Sequence, residues 1–306
     1  MKLTRKNFLK STLLLGGGLL LPVGKINAMN KFLNEESKLK VIRGNAGIYF
    51  GGGGTIGWYS DTDGVAVIDT QFPKDAEIFH IDLKKRNERK IDLLFNTHHH
   101  KDHTSGNYYF KDYVDTIIAH ENCPILQKER NTEKGKEELV VTANKTFKDK
   151  MTFELGKQKI HAYHYFNAHT GGDAIYHLEN ENVVHMGDLV FNGFYPVIDI
   201  DGGASLTGWA DYLNKVIDQF SDDTIFIYGH GSNAIESFGG KEPLKLMADY
   251  VIKLKEFAEK EFKAGKTKEE FMENTSIPGV TNRVEKWPGA LKYNLEMGYR
   301  FVSEKM

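Results

Sequence analysis

A chain of 306 residues with 40% hydrophobic and 27% charged side chains is long enough for one large domain with an ample core, and ordinary in composition for a soluble globular protein. Its formal net charge of −2 provides no basic footprint, so nucleic acid is not expected as a partner. The single cysteine, Cys123, excludes an internal disulfide and reads as a buried structural thiol.

In chain order, Lys2, Arg5 and Lys6 precede an apolar stretch from Leu13 to Leu21, followed by Pro22 and the small-residue end Ile26-Asn27-Ala28. Residues 1–28 therefore read as a secretory signal, and Thr4-Arg5-Lys6-Asn7-Phe8-Leu9-Lys10 resembles a twin-arginine signal with lysine in the second place. The stretch contains Gly16-Gly17-Gly18 and is shorter than the roughly 20 apolar residues of a span. Export to the periplasm, with no stable membrane anchor once the signal is removed, is the expectation. Residues 29–306 are expected to form a single domain.

Within that domain, Val41 to Phe50, Ile56 to Ser60 and Val65 to Asp69 read as strands, with Gly51-Gly52-Gly53-Gly54 and Asp61-Thr62-Asp63-Gly64 as turns. The glycine run suits equally a hairpin over a site or an ordinary turn. A helix is expected over Lys74 to Arg86, strands at Thr116–Ala119 and within Met151–Phe166, and a hairpin from Asp173 to Met186 turning at Glu179-Asn180-Glu181. Trp209 to Phe220 reads as helix, Thr224 to Tyr228 as strand, and the remainder as mostly helical. The charge-dense segment Gln127 to Lys150 reads as a solvated connector. The apolar stripe of Val251 to Phe262 reads as a core-facing helix side.

The chemistry concentrates just after the apolar run Ile91 to Phe95, where Thr97-His98-His99-His100-Lys101-Asp102-His103-Thr104-Ser105-Gly106-Asn107 sets four candidate ligands in one loop. Alternating His98 and His100 can face one ion, Asp102 and His103 a second as the chain enters a helix, while His99 points elsewhere. Nitrogen and oxygen donors without thiolate favour zinc, with iron or manganese as the other candidates.

This loop resembles the His-x-His-x-Asp-His signature of the metallo-β-lactamase-fold hydrolases, and the other motifs of that superfamily follow the same order. Gly64 to Thr70 is similar to the strand ending in the first motif aspartate, Asp69. Ala168-His169-Thr170-Gly171-Gly172-Asp173, His185-Met186-Gly187-Asp188 and Tyr228-Gly229-His230-Gly231 match the later motifs. The resemblance implies an α/β fold, a four-layer αββα sandwich. It also implies two zinc ions per chain: one on His98, His100 and His169, one on Asp102, His103 and His230, with Asp188 bridging. Asp102 is implied as a catalytic residue that orients the nucleophile or takes its proton, and Asp69 as a strand-end group that orders the ligand loop.

Branch assignment turns on the fourth motif. Some zinc β-lactamases place a cysteine there, and another branch lacks a bridging carboxylate; Asp188 departs from both. The pattern is more similar to the glyoxalase II branch, and Met186 to Pro196 is similar to exported, cyclase-like members. The expected activity is zinc-dependent hydrolysis, through a metal-activated hydroxide, of a small-molecule ester, thioester, lactone or amide, β-lactams included. Asn192 and Tyr195 are the candidate substrate contacts. Two other readings are an iron-dependent oxidoreductase on the same fold and a non-catalytic metal-binding accessory protein. His161, His164, His177 and His185 lie in strand-like sequence and read as structural, and no feature of the chain bears on oligomeric state.

Overall fold

The strand Gly64–Ile68 is buried at all five positions, a pattern a strand adopts when both of its faces are covered. Val65 and Val67 pack outwards with helical residues, whereas Ala66 and Ile68 pack inwards against a second sheet. This division extends through the computed structural model, which describes residues 38–304. The expected signal over residues 1–28 and the domain start at residue 29 lie outside the described residues. Among those described, no helix is long and apolar enough to cross a membrane.

The first sheet runs in chain order through β1 (Leu39–Arg43), β2 (Ala46–Tyr49), β3 (Ile56–Asp61), β4 (Gly64–Ile68), β5 (Leu93–Phe95), β6 (Ile117–His120) and β7 (Lys145–Phe147). It is antiparallel from β1 to β4 and parallel from β4 to β7. The second contains β8 (Lys150–Leu155), β9 (Gln158–Tyr163), β10 (Ile175–Leu178), β11 (Val183–His185), β12 (Ile225–Ile227) and β13 (Phe238–Gly239), with β11 and β12 parallel. The helices are α1 (Pro73–Arg86), α2 (Lys101–Thr104), α3 (Asn107–Phe110), α4 (Asn122–Asn131), α5 (Leu206–Gln219), α6 (Glu242–Lys263), α7 (Lys268–Met272) and α8 (Ala290–Ser303).

Three apolar layers separate four layers of backbone. Ala76, Phe79 and Leu83 of α1 cover the outer face of the first sheet. Ile48, Phe95, Ile118, Ile160, Tyr176 and Val183 fill the space between the sheets. Ile175 and Val184 turn to the opposite face, where α5, α6 and α8 pack. Such alternation is what a period of two dictates, and the result is the αββα sandwich.

Two local readings change. The stretch Val41 to Phe50 is two strands, β1 and β2, because Gly44 takes φ +51° and turns the chain with Asn45. The helix expected from Trp209 starts at Leu206, where the Ser205 hydroxyl caps it by accepting from the Gly208 amide. The charged segment after Gln127 is more ordered than a plain connector: it completes α4 and supplies β7. Val251, Leu254 and Ala258 face the core from α6, and Cys123 is buried.

Candidate metal centre

The C-terminal ends of parallel strands deliver most of the chemistry to one edge of the sandwich, as open α/β sheets commonly do. Asp69 follows β4, the His98 loop follows β5, Asp188 follows β11 and His230 follows β12. His169 arrives on the loop before β10, tied down where the Ala174 amide donates to the Thr97 carbonyl (2.8 Å). Trp209 of α5 lies 5.4 Å from the His169 ring and fixes itself by donating Nε1–H to the Leu189 carbonyl (3.0 Å).

Asp69 is the organiser of the loop. Its carboxylate accepts from the Thr97 amide and hydroxyl (2.8 Å each) and pairs with His103 Nδ1 (2.7 Å). Asp69 and Gln71 both hold positive φ, 64° and 54°. Such conformations cost of order 1–3 kcal/mol each and persist where surrounding bonds over-determine them.

Each histidine of the first cluster is held from behind. His98 Nδ1 meets Thr97 Oγ1 (3.0 Å), a hydroxyl already donating to Asp69, so the imidazole donates. His100 Nε2 meets Asp199 Oδ2 (3.0 Å) and His169 Nδ1 meets the Val197 carbonyl (2.9 Å). With protons on the outer nitrogens, lone pairs remain on the inner ones: His98 Nε2 and His169 Nε2 lie 3.1 and 3.0 Å from His100 Nδ1. Acceptors aimed at one another have nothing to share except a cation. The residues therefore fit a metal, and His98, His100, His169 and Asp188 form one group of donors within ligating reach.

Asp102, His103 and His230 form a second such group. His230 Nε2 lies 3.2 Å from Asp102 Oδ2, and its ring stacks on Phe191. Asp188 stands between the groups. Oδ1 is 3.0 Å from His103 Nε2, while Oδ2 is 3.5 Å from His169 Nε2 and 3.3 Å from His230 Nε2. Oδ1 makes no hydrogen bond of proper geometry despite its burial, as suits an oxygen placed for an ion.

Electrostatics separates the two groups. Burial, with the His103 charge, pushes His98 well below its ordinary pKa; burial, with His100, takes His169 down to about 3. Burial also opposes charge on His103 and His230, but Asp188 and Asp102 outweigh it, raising His103 well above the usual value and His230 to about 9. Against the same desolvation, the histidine charges hold Asp188 far below the usual carboxylate range and Asp102 at about 2. Both carboxyls are therefore anionic at neutral pH.

His99 turns away from these clusters, its Nε2 lying 3.3 Å from Asp199 Oδ2. Asp199, which also pairs with Arg130 (2.9 Å), is a residue the sequence reading missed. His185 bridges Thr55 O and the Gly187 amide, and His164 stacks on His120, both packing roles. Asn192 and Tyr195 depart from expectation, for neither lines the cavity above the centre. The Asn192 amide group donates to the Glu236 carbonyl (2.8 Å), and Tyr195 packs on Tyr250 in the helical core.

That cavity, about 440 Å³, is lined instead by Gly51–Gly53, Phe50, Phe191, Phe194, Val197, Lys286 and Trp287, with His100, Asp102, Asp188 and His230 at its floor. The glycine run thus borders the site. A Cβ on Gly54 would sit 2.0 Å from His103 Cε1, and the backbone there is pinned by its amide donating to the Asp102 carbonyl (3.0 Å). Gly54→Ala is expected to displace His103 and weaken the second metal position by more than about tenfold, on the scale of losing a supporting contact, while the first keeps its affinity. Stepwise metal titration followed by calorimetry checks this; two unchanged affinities would count against the crowding.

The metallo-beta-lactamase superfamily model matches residues 49–230. Among curated proteins, the chain is 23% identical over 177 residues to a metallo-beta-lactamase type 2 of Elizabethkingia meningoseptica (55% of this chain, 64% of that one). It is 31% identical over 141 residues to a hydroxyacylglutathione hydrolase of Brucella anthropi (43% and 48%). The matched stretches thus cover under two thirds of those relatives. Among solved structures, the sec-alkylsulfatase Pisa1 from Pseudomonas sp. superposes with TM-score 0.69 at 16% identity, over 86% of this chain and 50% of that one. The DIM-1 metallo-beta-lactamase gives TM-score 0.59 at 19% identity, over 71% and 98%. With this match across more than half its length, the chain belongs to the metallo-beta-lactamase superfamily.

Proposed function

We propose that the protein is a binuclear zinc hydrolase that cleaves an ester, thioester, lactone or amide, and that it works after export, in the periplasm. The observation that carries this reading is the convergence of inward-facing imidazole nitrogens on Asp188, a buried carboxylate within reach of both donor groups. His98, His100 and His169 would hold one ion, Asp102, His103 and His230 the other, and Asp188 both. Bound divalent ions lower the pKa of water from 15.7 to about 7 and polarise the oxygen under attack.

The chain's own residues do the rest. Asp102 opens partly to the cavity and stays ionised, so it accepts a hydrogen bond from the attacking water and orients it. Thr97, Asp199 and the Val197 carbonyl hold three imidazoles in the tautomer that faces inwards. Phe191, Phe194 and Val197 wall the cavity with apolar surface, and a substrate seated against them would displace water from the centre and strengthen each charge interaction there.

The test is metal content after native purification, followed by turnover of chromogenic esters, thioesters, lactones and a cephalosporin by the zinc-loaded protein. Two zinc ions per chain and chelator-sensitive hydrolysis are expected. Iron as the native metal would replace the proposal with an oxidoreductase, and a fully loaded protein inert on every substrate would point to a metal-binding accessory role.

A further inference from the structure

A second cavity, of about 300 Å³, shares no lining residue with the one above the metal centre. Lys101, Thr104 and Ser105, three and four positions apart, present one side of α2 to it, while Asp102 lines the first cavity. The facing wall is α4, from which Gln127 and Asn131 reach it one turn apart. The chain beyond α4 adds Glu133, Lys136, Leu139 and Val140, so charge that reads as a solvated connector in sequence encloses a space in the fold.

Gln127 carries the chemistry of this cavity. It is 2% exposed, and its Nε2 donates to the Val141 carbonyl (3.1 Å), which also accepts from Asn107 Nδ2 (2.9 Å). Turning the amide over would set oxygen against oxygen, so its orientation is fixed and Oε1 is left at the other end as an acceptor. Oε1 is buried and makes no hydrogen bond. Buried acceptors are seldom left unmatched. A donor supplied by a molecule in the cavity would complete this one.

Much of the remaining wall is apolar. Pro73, Tyr108 and Val140 line it, and Phe72 and Leu139 at its rim keep 38% and 42% of their surface exposed, area that an occupant would take out of water. Charge does not favour an anion. The Lys101 and Lys136 ammonium groups both pair with Glu133 (3.1 and 2.8 Å) out in solvent, where screening leaves little attraction to spare.

We propose that this cavity is a second small-molecule site, which takes a neutral compound with an apolar body of ring size and one O–H or N–H donor for Gln127 Oε1. The site stands apart from the hydrolase reading, since none of the metal-donor residues lines it. It backs directly onto their loop. Thr104 Oγ1 donates to the His100 carbonyl (3.0 Å) and Asn131 Nδ2 to the His99 carbonyl (2.6 Å), so an occupant against Thr104 and Asn131 bears on the backbone that carries His98 and His100.

The experiment titrates the full chain with phenol, toluene and benzoate, following the amide resonances of Ser105 and Asn131 by NMR. Phenol and toluene share a size and shape and differ in one donor; benzoate adds a charge. Both neutral probes are expected to shift these amides. Gln127→Met leaves Val141 its bond from Asn107 and should lower the phenol-to-toluene affinity ratio about fivefold or more. Leu139→Trp, a change at a half-exposed position, should fill the cavity and abolish the response to both. A ratio that Gln127→Met leaves unchanged overturns the donor assignment, and benzoate binding more tightly than phenol overturns the neutral class. A phenol response that survives Leu139→Trp, or no response to any probe at Ser105 and Asn131, overturns the site.

Discussion

Replacing Asp188 by alanine is expected to reduce metal content from the two ions proposed to one or fewer and to lower turnover by more than the roughly 10–100-fold that losing an outer hydrogen-bond partner of a metal ligand costs. Asp188 is almost fully buried and, among the described residues, is the one carboxylate whose oxygens approach imidazoles of both donor groups. Without it, two dications would face each other across a pocket of neutral nitrogens, with Asp102 alone to offset them nearby. Asp188→Asn separates charge from shape, since it fills the same volume and keeps one oxygen. It should behave like the alanine variant in metal content. Two ions per chain and undiminished turnover in Asp188→Asn would refute a bridging role. Thermal unfolding of both metal-free variants guards against simple misfolding, because removing one partner from a buried charge cluster destabilises by about 3–5 kcal/mol. The neighbouring Gly229 makes the position unusually sensitive: a Cβ there would lie 2.1 Å from Asp188 Oδ1, so only glycine allows the β12 loop to pass this close.

His98, His100, Asp102 and His103 were legible from their crowding in one loop after β5, whereas His169, Asp188 and His230 were legible through the resemblance of their short motifs to those of the family. Asp69 was legible for the same reason, and the structure adds its bonds to Thr97 and His103. What lay further along the chain was not. Asp199 pairs with His100 across 99 residues, and its Arg130 partner comes from a segment that reads as ordinary solvated charge. Nothing in Glu285-Lys286-Trp287 distinguishes it from any helix-flanking loop; Arg283, donating to the carbonyls of Phe191 and Phe194 (2.8 Å each), ties it to the cavity wall. Asn192 and Tyr195 mislead for a related reason. Proximity to Asp188 in sequence is not proximity to the cavity: Phe191 and Phe194 face it, whereas their neighbours turn to Glu236 and to the helical core. The missed hairpin between β1 and β2 did leave a signal, the Gly44-Asn45 pair between apolar runs.

Metal loading should be coupled to protons at one position far more than at the other. In the metal-free cluster, burial has driven His98 and His169 towards the neutral form, so their inner nitrogens present lone pairs at neutral pH. His103 and His230 are the opposite case. Desolvation works against their charge, but Asp188 and Asp102 prevail, and His230 holds its proton up to about pH 9. A cation entering between Asp102, His103 and His230 must displace those protons, because an imidazole ligates only when neutral. The sign follows: a raised pKa means that protons compete below it, so affinity at the second position climbs with pH and levels off once the histidines are neutral. The climb approaches about one decade per pH unit for each proton released. An ion already bound at the first position adds positive charge close by and lowers both pKa values, so levelling is expected somewhat below pH 9. Zinc titrations at pH 6.5 in buffers of different ionisation enthalpy should therefore report more protons released with the second equivalent than with the first, and the difference should vanish at high pH. Equal release by both equivalents at pH 6.5 would mean that the carboxylates do not hold His103 and His230 charged, and that the two positions differ in geometry alone.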